Sequence, residues 1–202
     1  FTFKDQLVEY RIASAFVQDE ISLVPQTWTL TLGSRFEHST LSDFETQPTA
    51  RLMWTPTTDD SLWLNWSRAA RTPSLGELNA NVVLGAQPQP LAPGGVVVLR
   101  SLPAPNLRPR AERVDALELG YRRTLSSGSL EAVLFHHDYR RLGATTMGQL
   151  DMSSPPFVQP LYRSYFANAC TTGLELAADI NLTATLRLQG SYTVLDTKAR
   201  RY

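Results

Sequence analysis

The sequence predicts an all-β protein: an antiparallel meander of about eight strands that forms part of a transmembrane β-barrel of the outer-membrane type. Three observations carry this prediction. Apolar residues recur at every second position along most of the chain, the period of a strand whose two faces meet different surroundings. The connections between these segments are alternately short and long. In a meander that gathers tight turns at one rim and long loops at the other, as in outer-membrane barrels. Finally, Trp28, Trp54 and Trp63 flank the short connections, where indole rings favour a membrane interface.

A first, less regular strand covers about 14–24. Trp28, Leu30, Leu32 and Phe36 then share one face, and Thr27, Thr29, Thr31, Arg35 and Glu37 the other. A third strand covers about 49–55, and in the fourth Leu62, Leu64 and Trp66 alternate with Trp63, Asn65 and Ser67. Leu117, Leu119 and Tyr121 mark the fifth, and about 130–138 the sixth. Leu174, Leu176, Ala178 and Ile180 mark the seventh, and Leu186, Leu188, Tyr192 and Val194 the eighth. No stretch has helical periodicity. Short connections fall at Pro25-Gln26, Pro56 to Asp60, Ser126 to Gly128 and near Asn181, and long ones at about 38–48, 69–111 and 140–163. Trp28, Trp54, Trp63 and Tyr121 are the expected membrane-interface aromatics. Leu30, Leu64, Leu119, Leu176 and Leu188 are the expected apolar belt.

Composition removes several other classes. Lys plus Arg and Asp plus Glu are both 19 in 202 residues, so the basic surplus of a nucleic-acid binder is missing. The single cysteine, Cys170, allows neither an internal disulfide nor a cysteine metal cage. The longest apolar run, Val96 to Leu99, is far short of the roughly 18 residues of a membrane helix. A barrel strand needs only about 9–11 residues, apolar on one face. Phe1 opens directly into mixed sequence, without the pattern of a secretion signal. Phosphate-binding glycine loops, zinc-protease motifs and nucleophile elbows are absent as well, and no enzyme activity, cofactor or metal is expected. Two further classes stay open on pattern alone: a small eight-stranded structural or adhesive barrel, and a soluble β-sandwich.

Trp63-Leu64-Asn65-Trp66-Ser67-Arg68-Ala69-Ala70-Arg71-Thr72-Pro73 resembles the Ser-Arg-Ala-Phe-Arg-Thr-Pro segment of the TonB-dependent receptor family, with Ala70 in the aromatic position. Pro105-Asn106-Leu107-Arg108-Pro109 with Glu112, followed by Leu117 to Arg122, is similar to that family's Asn-Leu-Lys-Pro-Glu and Glu-Leu-Gly-Tyr segments. Phe16 to Glu20, Leu32 to Phe36, and Asn168 with Gly173-Leu174-Glu175 fit in the same order. The resemblance implies that residues 1–202 are the later part of a barrel of about 22 strands, without its plug and TonB box. The ending Lys198 to Tyr202 lacks the alternation of a final strand. The resemblance also implies an outer-membrane receptor of a Gram-negative cell, driven by TonB through the missing parts. Such a receptor takes up a scarce solute, most often a ferric siderophore.

Candidate ligand contacts lie in the long loops, since binding residues concentrate in loops on a rigid scaffold. They are Arg68, Arg71, Arg100 and Arg108, whose guanidinium forks suit an anion, and Phe44, Phe157 and Tyr162, which suit an aromatic ligand. Arg68 and Arg71 have a plainer alternative, ion pairing with wall acids such as Glu77 or Glu112. Arg100, Arg108, Arg110 and Arg113 form a basic cluster that is either solvated or set against anionic surface lipid. For the segment at 79–105, two placements are open: over the barrel mouth, or as a rim strand at Val96 to Leu99. Haem-uptake relatives typically place a histidine between the two motifs, and none stands from Arg71 to Asn106. His136 and His137 are neighbours in a strand and face opposite ways, which leaves His38 as a remote candidate.

Overall fold

The computed structural model describes residues 2–3, 9–88, 95–105 and 110–201. Eight long strands carry the fold: β2 (Ile12–Val24), β3 (Trp28–Ser39), β4 (Asp43–Trp54), β5 (Asp60–Arg71), β8 (Glu112–Leu125), β9 (Gly128–Met147), β10 (Phe157–Asn181) and β11 (Arg187–Arg201). They pair in that order, each antiparallel to the next. Three short strands add to them: β1 (Thr2–Phe3), β6 (Ala80–Pro88) and β7 (Val96–Pro103). The β6–β7 hairpin leaves the β5–β8 connection, passes β8 and β9, and sets β7 parallel to the start of β10, Phe157 opposite Val97 and Arg163 opposite Pro103. Val96 to Leu99 is therefore a rim strand, and this pair departs from a purely antiparallel meander.

Strands run further towards the loop end than their alternation suggests. Most of the stretch 38–48 is β3 and β4, joined by residues 40–42 alone, so strict short-long alternation fails there. Much of 69–111 and 140–163 is likewise strand. Backbone ladders need no clean alternation, and here apolar and polar residues mix without a two-residue repeat, so periodicity gives no signal. A single helical turn, α1 (Leu75–Asn79), also appears. Its signal is Ser74-x-x-Glu77: the Ser74 hydroxyl accepts from the Glu77 N–H at 3.2 Å, and the Glu77 carboxylate accepts from the Ser74 N–H at 2.7 Å. Each bond satisfies an amide that the helix start leaves free.

Register turns alternation into two surfaces. One row of direct partners crosses all eight long strands as Ile21, Leu30, Leu52, Leu64, Leu119, Leu134, Leu174 and Val194. The adjacent row towards the short turns runs Val24, Trp28, Trp54, Leu62, Tyr121, Ala132, Leu176 and Tyr192. The expected belt residues Leu30, Leu64, Leu119, Leu176 and Leu188 all lie on this one face. Such side chains stay about half exposed, Leu119 at 50% and Leu134 at 54%. The buried apolar side chains among the described residues (Leu41, Ala80, Val97, Ala111, Phe135 and Phe157) are few and scattered. A soluble sandwich would cover such a face with a second sheet.

The apolar band is oblique to the rows. Its last outward apolar residue at the loop end is Phe36 on β3 and Val194 on β11, and Val194 shares a row with Leu30, six residues short of Phe36. Across the six intervening pairings the limit therefore falls about one residue per strand, the shear expected of strands tilted roughly 35–45° in a barrel. Among the described residues the sheet does not close on itself. Among the described residues β2 pairs only with β3, and β11 only with β10, which removes the eight-stranded closed barrel.

Candidate functional site

The opposite face is polar. Arg51, Asn65, Glu118, Arg122, Glu131, His137 and Glu175 share it with Trp63 and Phe135 around a cavity of about 560 Å³. Asn65 donates to Glu118 at 3.3 Å, and Arg122 pairs with Glu131. Trp63 lies on this face, opposite Met53, with the Arg51 guanidinium 5.5 Å from its ring centroid. It is thus turned away from Trp28 and Trp54, which stack at 5.6 Å on the apolar face. The expected interface placement of Trp63 fails because residue 63 has the opposite parity from 62 and 64, which proximity to a turn does not reveal. Tyr121 stands in the Trp28–Trp54 row and donates to Asp60 at 2.6 Å. Tyr192 extends that row, one interface aromatic more than the expected four.

At the loop end of the polar side, Arg71 joins three elements. Its Nε donates to Glu112 at 2.8 Å, and its two terminal nitrogens to Glu77 on α1 at 2.9 and 3.3 Å. Glu112 in turn accepts from the Gly143 N–H of β9 at 2.8 Å. Hydrogen bonding to Arg71 holds both carboxyls below the ordinary glutamate range. Tyr165 lies beside this network, and burial, with Glu77 nearby, pushes its phenol up to about 12. The plainer reading of Arg71 therefore describes its resting state: it ties β5, α1 and β8 together.

The other candidates are dispersed. Arg68 pairs with Asp115 at 2.8 Å on the face of the apolar belt, away from the polar cavity. Phe44 belongs to β4, is 58% exposed and stacks on Phe36 at 6.3 Å, again on the belt face. Phe157 begins β10 and is buried opposite Val97. The Tyr162 ring packs over Gly148, where an added Cβ would lie 2.4 Å away. Arg100 sits on β7 between Val83 and Pro160, its buried Nε without a hydrogen-bond partner among the described residues. Arg108 lies outside the described residues, as does most of its motif, residues 106–109. His136 and His137 face opposite ways: the first meets Thr172 at 2.7 Å, the second Glu118 at 3.7 Å.

Solved structures share this architecture. The ferric enterobactin receptor PfeA from Pseudomonas aeruginosa, as an R480A/Q482A mutant, superposes with a TM-score of 0.73 at 21% identity, over 92% of this chain and 26% of its own. The siderophore receptor PirA from Pseudomonas aeruginosa gives 0.74 at 20% identity, over 93% of this chain and 34% of its own. The FrpB iron transporter from Neisseria meningitidis gives 0.61 at 14% identity, over 94% and 26%. The chain thus spans about a quarter to a third of the length of these proteins. No curated protein sequence matches it. The sequence model described as "TonB dependent receptor-like, beta-barrel" matches residues 3–201. With its sheared, two-faced sheet and a family match over nearly its whole length, the chain belongs to the β-barrel family of TonB-dependent receptors, a family of transporters and not of enzymes.

Proposed function

We propose that residues 1–202 form part of a larger outer-membrane barrel, of about 22 strands, that takes up a ferric siderophore by TonB-driven transport. The observation that carries this reading is the single sheet with two chemistries, an unbroken apolar row on one face and charged residues on the other. Lipid satisfies the first face and a water-filled or protein-filled lumen the second. The structural neighbours support the substrate class, since PfeA has been solved with enterobactin and PirA is a siderophore receptor. Interaction with the TonB complex is proposed for the whole receptor, outside this segment.

Among the candidate contacts, Arg71, Arg100 and Tyr162 remain the proposed ligand residues. Arg68 and Phe44 lie on the lipid side, and Phe157 is covered by β7. Arg71 would have to exchange its carboxylates for the anionic ligand, whereas the Arg100 Nε has no hydrogen-bond partner among the described residues. The test is uptake of radioactive iron by source cells lacking the full-length protein, under iron limitation. Loss of uptake for one siderophore class, restored by the wild-type protein, is expected. Unchanged uptake of every ferric siderophore offered refutes the proposal.

A further inference from the structure

The apolar face carries a depression near its short-turn end. Tyr121, Ala132, Leu176 and Tyr192 are direct partners across β8 to β11. The next row towards the turns is Arg123, Leu130, Ala178 and Gly190. The ladders hold their register without a bulge through both rows, so alternation puts these residues on the same side as Leu119, Leu134 and Leu174. Contacts agree with the alternation. The Tyr121 hydroxyl and the Arg123 guanidinium donate to the same Asp60 oxygen, at 2.6 and 3.3 Å, and Asp60 is the direct partner of Arg123 on β5.

Residue size makes the depression. The adjacent row on the loop side carries Leu119, Leu134, Leu174 and Val194. Here Ala178 and Gly190 are direct partners instead, and Ala132 is diagonal to Ala178. A Cβ added at Gly190 would meet no atom within 4 Å. The result is a groove of about 590 Å³, floored by these three small residues and walled by Tyr121, Leu188 and Tyr192. Its walls stand clear of the sheet, Leu188 at 55% and Tyr192 at 64% exposure. Arg123 follows Tyr121 on this face, one outward position nearer the turn. Its side chain is half exposed, and Asp60 is its one ion-pair partner among the described residues. Asp60 also accepts from the hydroxyls of Tyr121 and Thr57.

We propose that this groove is a binding site for one phospholipid, with an acyl chain on Ala132, Ala178 and Gly190 and the phosphate on Arg123. The surroundings decide the occupant. The groove is continuous with the apolar band, and its floor offers no polar side chain that would hold water. Left empty, its lining would forfeit dispersion contacts, whereas a flexible methylene chain follows an irregular floor. Arg123 stands one outward position past an aromatic of the interface row, the height of a headgroup. Short turns form the periplasmic rim of such barrels, so the lipid belongs to the leaflet on that side. The inference rests on the membrane placement proposed above and is independent of which solute is transported.

The test is native mass spectrometry of the full-length protein in detergent with palmitoyl-oleoyl phosphatidylglycerol. Wild type should retain one lipid under collisional activation that strips the others. Gly190→Leu fills the groove from its open floor and should lower that retention about tenfold, since leucine displaces about two methylenes of the chain. Arg123→Gln should lower it about fivefold. Leu64→Ala, on the same face outside the groove, should leave it unchanged. Resistance to unfolding in cold SDS identifies folded variants, and Ala178→Leu carries the test if Gly190→Leu does not fold. Flotation of wild type with phosphatidylcholine vesicles tests the membrane placement separately: protein that floats yet retains no lipid overturns the groove alone. Equal retention by folded Gly190→Leu overturns the proposal. So does a wild-type dimer that this substitution dissociates, which would give the groove to a second copy.

Discussion

Replacing Gly120 by alanine sets two physical effects against each other, and the structure decides the sign. In a strand, alanine normally gains about 0.5–1 kcal/mol over glycine, because glycine loses more backbone freedom on folding. At position 120, however, a Cβ would lie 2.0 Å from Cε2 and Cζ2 of Trp63. Carbon atoms rest at about 3.5–4 Å, so the indole must move by well over an ångström. That breaks its packing under Arg51 and against Met53. Overpacking of this kind costs about 1–3 kcal/mol, leaving Gly120→Ala destabilised by about 1–2 kcal/mol. The assay is urea unfolding of the full-length protein inserted in phosphatidylcholine vesicles, followed by strand circular dichroism. The same substitution in a Trp63→Leu background should reverse sign, since the clash is gone and the backbone gain remains. A Gly120→Ala protein as stable as wild type, or an equal effect in both backgrounds, would refute the reasoning.

Four further outcomes follow from the same geometry. Leu64→Arg, on the apolar face, should destabilise the vesicle-inserted protein by about 2–4 kcal/mol, whereas Asn65→Arg, one residue away on the polar face, should cost under about 1 kcal/mol; equal costs would contradict the facing. Brominated lipid should quench Trp28 and Trp54 in single-tryptophan proteins and leave Trp63 bright. Arg113→Ala strands Glu45, whose side chain is 5% exposed with Arg141 at 3.6 Å as its remaining cation. It should cost about 2 kcal/mol, below the range for a fully buried pair because Arg113 keeps 27% exposure, and adding Glu45→Gln should recover most of it. Glu77 and Glu112 have depressed carboxyl pKa values in the folded state, so the unfolded chain binds more protons as pH falls through the glutamate range. Their stabilisation is complete above that range and lost below it, so the hydrogen-exchange protection of Leu75 to Leu78, measured against the intrinsic exchange rate at each pH, should fall at acid pH in wild type. In Arg71→Gln this loss of protection should be largely absent.

The alternating segments were legible because one face meets apolar surroundings and the other polar ones. Strands β3, β5, β8, β10 and β11 lie where the repeats around Leu30, Leu64, Leu119, Leu174 and Leu188 predict them. The same logic fails where apolar and polar residues do not alternate cleanly between the faces. The loop ends of β3 and β4, the extension of β9 past Arg140 and the start of β10 read as loop, yet they are paired backbone. Trp63 shows a different limit: closeness to a turn indicates height along the strand, and only parity indicates the face. The acids that hold Arg71 were identifiable by charge and nearness in the chain. Glu45 as the partner of Arg113 was not, because that contact crosses an intervening strand over Ala70, a relation that exists only once register is known.

The oblique limit of the apolar band bears on how such a wall can be enlarged. Each long strand is antiparallel to the next, so a single added strand would reverse the direction of every strand after it and move tight turns and long loops to the wrong rims. An added hairpin lowers the band by about two residues, one full pleat, and leaves every later strand running in its original direction. The hairpin is therefore the smallest unit that duplication can insert into this wall without rewriting its neighbours, and growth by that unit keeps the number of strands even.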